Sequence, residues 1–171
     1  MRSLFFTIML GAFVTLTSAD TEKGLIVTSS AFSNGGAIPQ KYTCEGENIN
    51  PPISVANIPA NTKMLAITVH DPDADTPGGF THWVVWNIMT DNIVTENYKG
   101  AKQGYHSGGK GGYIGMCPPK DMHHYYFKVY AVDTKITLAP TADKAMLEAA
   151  ITGHVLAEGE LMGTYQKQKK Q

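Results

Sequence analysis

The segment HDPDADTPGGFTHWVVWNI, residues 70–88, joins an acidic turn to an apolar run that is typical of a buried strand. Another apolar run, Met64 to His70, comes directly before the turn, which contains the turn-forming residues Thr76-Pro77-Gly78-Gly79. Pro72 fixes its own φ and favours an extended conformation at Asp71. The segment therefore predicts two strands joined by a turn that carries carboxylates and histidines.

Further short apolar runs are separated by residues that favour turns, which is typical of a mostly β domain. With the two strands above, the predicted strands are 25–29, 53–55, 64–70, 83–88 and 125–132. One helix is predicted from Lys144 to Ile151, after the capping segment 141–143 and before Gly153. The period of residues 154–161 fits either a second short helix or a strand.

The first nineteen residues predict a secretory signal peptide. Arg2 precedes an apolar run from Leu4 to Leu16, and Thr17-Ser18-Ala19 is a small-residue cleavage site. The run is shorter than the roughly 20 residues of a permanent membrane span. We therefore expect residues 1–19 to be removed and the chain to be exported, and the alternative is an uncleaved N-terminal anchor.

Residues 20–171 are expected to form a single domain with a short basic tail that contains Lys167, Lys169 and Lys170. The chain has 171 residues, of which 43% are hydrophobic and 17% are charged, as in a globular protein. Its formal net charge of -1 provides no electrostatic footprint for nucleic acid. We expect no nucleic-acid partner and, after cleavage of the signal, no transmembrane span.

Two cysteines, Cys44 and Cys117, are present. An exported chain enters an oxidising compartment, where the pair could form a disulfide. The alternative is two separate thiols that pack as small apolar groups. The sequence does not decide between these states, because it does not give the distance between the two residues.

A histidine begins each of two predicted strand segments. Strict alternation places His82 on one face with Val84, Trp86 and Ile88. In the same way His123, Tyr125, Phe127 and Val129 share a face, opposite His124. Polar groups at strand ends with apolar residues behind them are typical of a pocket at the rim of a sheet.

The acidic turn suggests a role for these histidines. A carboxylate at the strand end, Asp71, can orient an imidazole and raise its pKa, and two protonated histidines would form a small positive pocket for an anion. The alternative is that Asp71 and Asp73 cap the turn by bonding nearby backbone amides, and that His82 and His123 are structural.

The segment GYHSGGKGGYIGMCPPK, residues 104–120, is rich in glycine. Glycines let backbone amides approach a ligand and form concavities that bind anions. The pattern is not that of a P-loop, because Lys-Ser or Lys-Thr does not follow the glycines. The alternative is a flexible surface loop.

Five segments in this order resemble the phosphatidylethanolamine-binding protein family, in its bacterial Raf-kinase-inhibitor-like branch. They are CEGENINPP at 44–52, DPDAD leading into HWVVWNI, the glycine-rich segment ending in Cys-Pro-Pro, HHYYFKVYAVD, and GHVLAEGELMGTY at 153–165. The resemblance extends from about Leu25 to Tyr165. It implies a β-sandwich of two antiparallel sheets with a few peripheral α-helices, and a small anion pocket at one end.

The same resemblance implies which residues bind the ligand. The matching positions are Asp71, His82, His123, Tyr125, Gly115, Cys117 and Pro118. His124 stands where the family often has arginine and is not expected to be a ligand. The chain departs from the family pattern at Asp75, where a proline is usual, and at Met116 in the Cys-Pro-Pro segment.

Together with the predicted signal peptide, the resemblance favours an exported, non-enzymatic protein that binds phosphate, carboxylate or a phospholipid headgroup, without cofactor or metal. The periplasm is the expected location, with secretion as the alternative. A second hypothesis is an inhibitor or regulator of an extracytoplasmic protein partner such as a protease. A third is a hydrolase that uses Asp71 and His82 as an acid–base pair.

Overall fold

The computed structural model describes residues 24–91 and 93–168, so the predicted signal peptide, Lys169 and Lys170 lie outside the described residues. Within these described residues eight strands and one helix follow in order: β1 (Ile26–Thr28), β2 (Ile53–Ala56), β3 (Met64–Asp71), β4 (Phe80–Ile88), β5 (Ile93–Val94), β6 (Lys102–Gln103), β7 (His123–Val132), α1 (Lys144–Ile151) and β8 (Val155–Tyr165). A short 3₁₀ turn covers Gln40–Tyr42.

The strands form two antiparallel sheets. The smaller sheet has the order β1-β2-β5, and the larger sheet has the order β6-β4-β3-β7-β8. Strand β3 therefore lies in the centre of the larger sheet, between β4 and β7. Its buried sequence LAITV, residues 65–69, has no polar side chain except Thr68, as expected for a strand that is covered on both faces.

Two hydrophobic clusters divide the molecule into layers. The first lies between the sheets and includes Ile53, Ile67, Trp83 and Phe127 among its buried residues. The second joins the other face of the larger sheet to α1 and contains residues from both: Ala66, Val84, Trp86, Tyr130, Val132, Leu147 and Ile151. The predicted β-sandwich fold is confirmed, with the helix packed on its outer face.

Most element predictions agree with the structure. The helix has the predicted bounds, and the side chain of Asp143 caps it by accepting from the Met146 N–H at 2.9 Å. Gly153 follows with a φ of 81°, a left-handed conformation that glycine adopts readily. The undecided segment 154–161 is a strand, because it extends the sheet as β8 beside β7.

Strand β4 differs from the strict alternation that the sequence suggested. It begins at Phe80, and its pairing with β3 shifts on either side of His82 and of Asn87, so each of these residues forms a bulge. A bulge turns one more side chain to the same face. Ile88 therefore joins Trp83 in the cluster between the sheets. Strict alternation had predicted that Ile88 shares a face with Trp86, and this prediction is wrong because Trp86 lies in the other cluster.

The turn between β3 and β4 requires glycine at one position in particular. Gly79 has a φ of 76°, and a Cβ atom there would lie 2.4 Å from the backbone oxygen of Asp71. Two hydrogen bonds between Thr76 and Gly79 close the turn. The Gly79 N–H donates to the carbonyl of Thr76, and the hydroxyl of Thr76 donates to the carbonyl of Gly79. This tight return brings the end of β3 next to the start of β4, where the candidate site lies.

Candidate functional site

Asp71 and His123 form a buried pair at the sheet end where β3 finishes and β7 begins. Nδ1 of His123 lies 2.8 Å from Oδ2 of Asp71, and both residues are buried. Oδ1 of Asp71 accepts the N–H of Asp73 at 2.9 Å. Asp71 therefore caps the turn and orients the histidine at once, so the two interpretations drawn from the sequence are both correct for this carboxylate.

His82 occupies the bulge of β4 and lines a cavity together with Asp71 and His123. Its Nδ1 lies 2.8 Å from the carbonyl oxygen of Ile114. A carbonyl only accepts hydrogen bonds, so Nδ1 carries the proton and Nε2 is the acceptor in the neutral ring. The ring of His82 contacts Tyr125 edge-on at a centroid distance of 5.3 Å. It therefore lies on the face of the larger sheet that packs against the smaller sheet, whereas the sequence predicted that it shares the opposite face with Val84.

Burial makes His82 a neutral histidine at neutral pH. Loss of hydration lowers its pKa to about 4, although the bond to Ile114 and the charge of Asp71 act in the opposite direction. The sequence suggested two protonated histidines in this pocket. For His82 that prediction is wrong, because the cost of desolvating the charged ring exceeds the favourable interactions around it.

Tyr125 lies behind the two histidines in the buried core. Its ring is stacked near that of His123 at a centroid distance of 6.4 Å and is fully buried. In the described part of the chain, its hydroxyl has no partner at hydrogen-bonding geometry. Burial, and secondly the charge of Asp71, raise the pKa of this phenol, so it stays protonated. The buried ring of Tyr125 therefore packs against both imidazoles on the side of the core.

The glycine-rich segment forms the opposite wall and is tied down. Cys117 forms a disulfide with Cys44, with a Cα–Cα distance of 5.5 Å. The Cys44 N–H donates to the carbonyl of Met116 at 3.1 Å, and the Gly115 N–H donates to Oδ1 of Asn48 at 2.6 Å. The segment is therefore a fixed wall and not the flexible loop that composition alone allows.

These residues enclose one cavity of about 250 Å³. Of the predicted site residues, all but Tyr125 line it: Asp71, His82, Gly115, Cys117, Pro118 and His123. The sequence did not assign five other lining residues to the pocket: Ala74, Asp75, Phe80, Ile114 and Pro119. Two of them could have been found, because Pro119 follows the predicted residue Pro118 and Asp75 departs from the family pattern.

The two departures from the family pattern have different consequences. Asp75 is an exposed residue that lines the cavity and adds a carboxylate to it. Met116 is fully buried in the cluster between the sheets and does not line the cavity. The chemical change at the site is therefore the extra carboxylate.

His124 and Asp73 form a separate pair outside the cavity. Nδ1 of His124 lies 2.7 Å from Oδ2 of Asp73, and both side chains are exposed. The same oxygen accepts the backbone N–H of His124, and the hydrogen bond to the His124 side chain is the main cause that lowers the pKa of Asp73. As predicted, His124 is not among the residues that line the cavity.

Neither a metal site nor a membrane-spanning helix is found in the part of the chain that the structure describes. Within residues 24–91 and 93–168, no group of three or more His, Cys, Asp or Glu side chains is placed to hold a metal ion. In the same residues, no helix is long and apolar enough to cross a membrane.

Comparison with known proteins gives consistent results. A family model described as phosphatidylethanolamine-binding protein matches residues 28–166. A UPF0098 protein of Pyrococcus horikoshii is 45% identical over 160 residues, which cover 85% of this chain and 79% of that protein. A UPF0098 protein of Methanothermobacter thermautotrophicus is 43% identical over 145 residues, which cover 80% of this chain and 95% of that protein.

Two solved structures are similar over the same region. YbcL of E. coli, described as a member of the mammalian family, is 31% identical with a TM-score of 0.79, and the match covers 85% of this chain and all of that one. A Chlamydia trachomatis homologue is 38% identical with a TM-score of 0.80 over 85% of this chain and 99% of that one. This chain therefore belongs to the phosphatidylethanolamine-binding protein family, in the branch that contains YbcL and the UPF0098 proteins of bacteria and archaea.

Proposed function

We propose that the protein is an exported, non-catalytic binding protein for a small anionic ligand of the phosphate, carboxylate or phospholipid-headgroup class. Membership of the family implies a pocket for such ligands in general. The observation that carries the proposal is the convergence of Asp71, His82 and His123 on one cavity of about 250 Å³.

The hydrogen bonds of the two histidines determine what each offers to a ligand. Nδ1–H of His123 donates to Asp71, and Nδ1–H of His82 donates to the Ile114 carbonyl. Nε2 is therefore the ring atom available to a ligand in both residues. An anion binds these atoms most strongly when they are protonated, or when it keeps an acidic hydrogen of its own that it can donate, as the monoanion of a phosphate monoester does.

The walls of the cavity strengthen such contacts. Phe80, Ile114 and Pro118 line it beside the polar groups. Apolar walls lower the local dielectric, so a hydrogen bond between a charged ligand and an imidazole is stronger than in water. The same walls accept the aliphatic part of a larger ligand, which is consistent with a headgroup and its first carbons.

The absence of catalysis is part of the proposal. Among the residues that line the cavity, Cys117 would be the strongest nucleophile, and its sulfur is held in the disulfide with Cys44. The carboxylate of Asp71 accepts two hydrogen bonds that fix the turn and the ring of His123. Each group thus has a role in shaping a binding pocket.

Export is supported by two features of different kinds. Residues 1–19 have the charge, the apolar run and the small-residue end of a signal peptide. The Cys44–Cys117 disulfide is a bond that persists mainly in oxidising compartments. We therefore propose the periplasm as its location, with secretion as the alternative destination, and a mature chain that begins near Asp20.

Amide-resolved NMR titration with phosphate, acetate and phosphoethanolamine tests the ligand class. Saturable shifts that centre on Gly115, His123 and Tyr125 are expected for at least one of the three. Shifts scattered over exposed lysines, without saturation, would contradict the proposal. Cell fractionation combined with the intact mass of the purified chain tests export, because cleavage after Ala19 gives a defined mass.

A further inference from the structure

A second cavity, of about 330 Å³, lies on the helix side of the larger sheet. His70 of β3 and Thr81 of β4 contribute to it, whereas their chain neighbours Asp71 and His82 line the first cavity. The rest of its lining comes from the turn residues 77–79, from the segment 105–107, and from the N-cap and first turns of α1. The two cavities are therefore separated by the sheet itself.

His106 supplies a hydrogen-bond donor to this cavity. The residue is only 8% exposed, and its Nδ1 accepts the N–H of Gly108 at 2.9 Å. Because Nδ1 acts as an acceptor, the proton of the neutral ring is on Nε2. Within residues 24–91 and 93–168 no hydrogen bond is formed by Nε2, and because His106 lines the cavity this nitrogen is open to it and can donate to a ligand.

Other polar groups of the cavity supply both donors and acceptors. Oγ of Ser107 accepts the N–H of Thr81 at 2.9 Å, which leaves its own hydrogen available. The ammonium of Lys144 lies 3.0 Å from the carboxylate of Glu148, and each has capacity for further hydrogen bonds. Asp143 uses Oδ1 to cap α1, so its Oδ2 also remains as an acceptor.

The charges of this cavity argue against an anionic ligand. Its lining has one ammonium, that of Lys144, and the two carboxylates of Asp143 and Glu148. Burial lowers the pKa of both His70 and His106, so neither ring adds positive charge at neutral pH. A ligand that carries no charge avoids repulsion from the carboxylates and still uses every donor and acceptor.

We propose that this second cavity binds a neutral polyhydroxylated ligand, namely one sugar unit of a carbohydrate. Each sugar hydroxyl donates one hydrogen bond and accepts others, which matches a lining that mixes donors with acceptors. Tyr105 contributes an aromatic ring to the wall, a surface with an apolar face that suits the C–H face of a sugar ring. The site is independent of the anion pocket across the sheet.

Saturation-transfer NMR on the full protein tests the proposal with D-glucose, D-galactose and N-acetyl-D-glucosamine as probes. The informative variant is His106→Asn, because the asparagine can still accept from Gly108 but lacks the Nε2 donor. The matched control is His154→Asn, at an exposed residue that pairs with Asp133 and lines neither cavity. Folding of both variants is checked by their amide spectra.

Saturable binding of at least one sugar is expected, with an affinity about tenfold lower in His106→Asn, which is the loss of one hydrogen bond. The control is expected to bind as the wild type does. Failure of all three sugars, or equal binding by His106→Asn and the wild type, would overturn the proposal. Binding of inorganic phosphate at His106 in place of the sugars would also overturn it.

Discussion

Nδ1 of His123 and Oδ2 of Asp71 lie 2.8 Å apart, although the two residues are separated by more than fifty positions in the chain. The contact joins the end of β3 to the start of the neighbouring strand β7. It determines which nitrogen of His123 is available to a ligand and supplies a hydrogen-bond donor to a buried carboxylate.

Removal of the imidazole at position 123 is expected to destabilise the fold. His123→Ala leaves the buried carboxylate of Asp71 without its partner, which costs about 3 kcal/mol in the free energy of unfolding. His123→Asn keeps a donor for Asp71 and should lose much less. Urea denaturation measures both, with the exposed His124→Ala as control, for which a change below about 1 kcal/mol is expected. Equal stability of His123→Ala and the wild type would contradict this account.

His82 should make the protein less stable as the pH falls. Its pKa is 6.5 in an unfolded chain and about 4 in the fold, so between these values the unfolded state binds more protons. The contribution of neutral His82 to the free energy of unfolding is complete above pH 6.5. About 3 kcal/mol of it is lost as the pH falls towards 4.

The variant His82→Asn isolates this effect, because asparagine can still donate to the Ile114 carbonyl. Denaturant titrations at several pH values should show a smaller loss of stability for the variant between pH 6.5 and 4. NMR titration of the His82 ring should give a midpoint near pH 4. Identical pH profiles of variant and wild type would mean that His82 is not the group responsible.

Binding of an anion should be linked to uptake of a proton. A bound anion favours the charged imidazole, so it raises the low pKa of His82. We therefore expect the affinity for phosphate to increase as the pH falls from 7 towards 5. Calorimetry in buffers of different ionisation enthalpy measures the protons taken up, and a pH-independent affinity with no uptake would contradict this mechanism.

The disulfide should stabilise the wall of the pocket and the whole fold. It closes a loop with a sequence separation of 73, for which the loss of chain entropy in the unfolded state corresponds to about 4 kcal/mol. The double variant Cys44→Ser, Cys117→Ser should have a lower urea midpoint and weaker anion binding, because Cys117 lines the cavity. An unchanged midpoint would show that the hydrogen bonds of Met116 and Gly115 hold the wall without the disulfide.

Part of the fold was accessible from the sequence because the relevant signals are local. The alternation of His123, Tyr125, Phe127 and Val129 correctly predicted one buried face of β7. The turn and cap signals likewise predicted the bounds of α1. The hydrophobic pattern of the sequence predicts burial correctly where a strand or helix packs one face against the core.

The remaining features depend on tertiary contacts that no local pattern records. The bulge at His82 arises from the register between β3 and β4, and it turns the ring towards the cavity. The low pKa of this histidine follows from burial by distant residues. The second cavity combines His70, His106 and Lys144 from separate segments of the chain, so sequence spacing did not indicate it.

The most direct test of the anion pocket is calorimetric titration of the wild type and of His123→Asn with phosphate and phosphoethanolamine. The account predicts saturable binding by the wild type and a loss of about tenfold or more in the variant, because the available Nε2 is gone while the bond to Asp71 is kept. Equal affinity in the two proteins, or no binding of either anion to the wild type, would contradict the assignment of this cavity as the anion site.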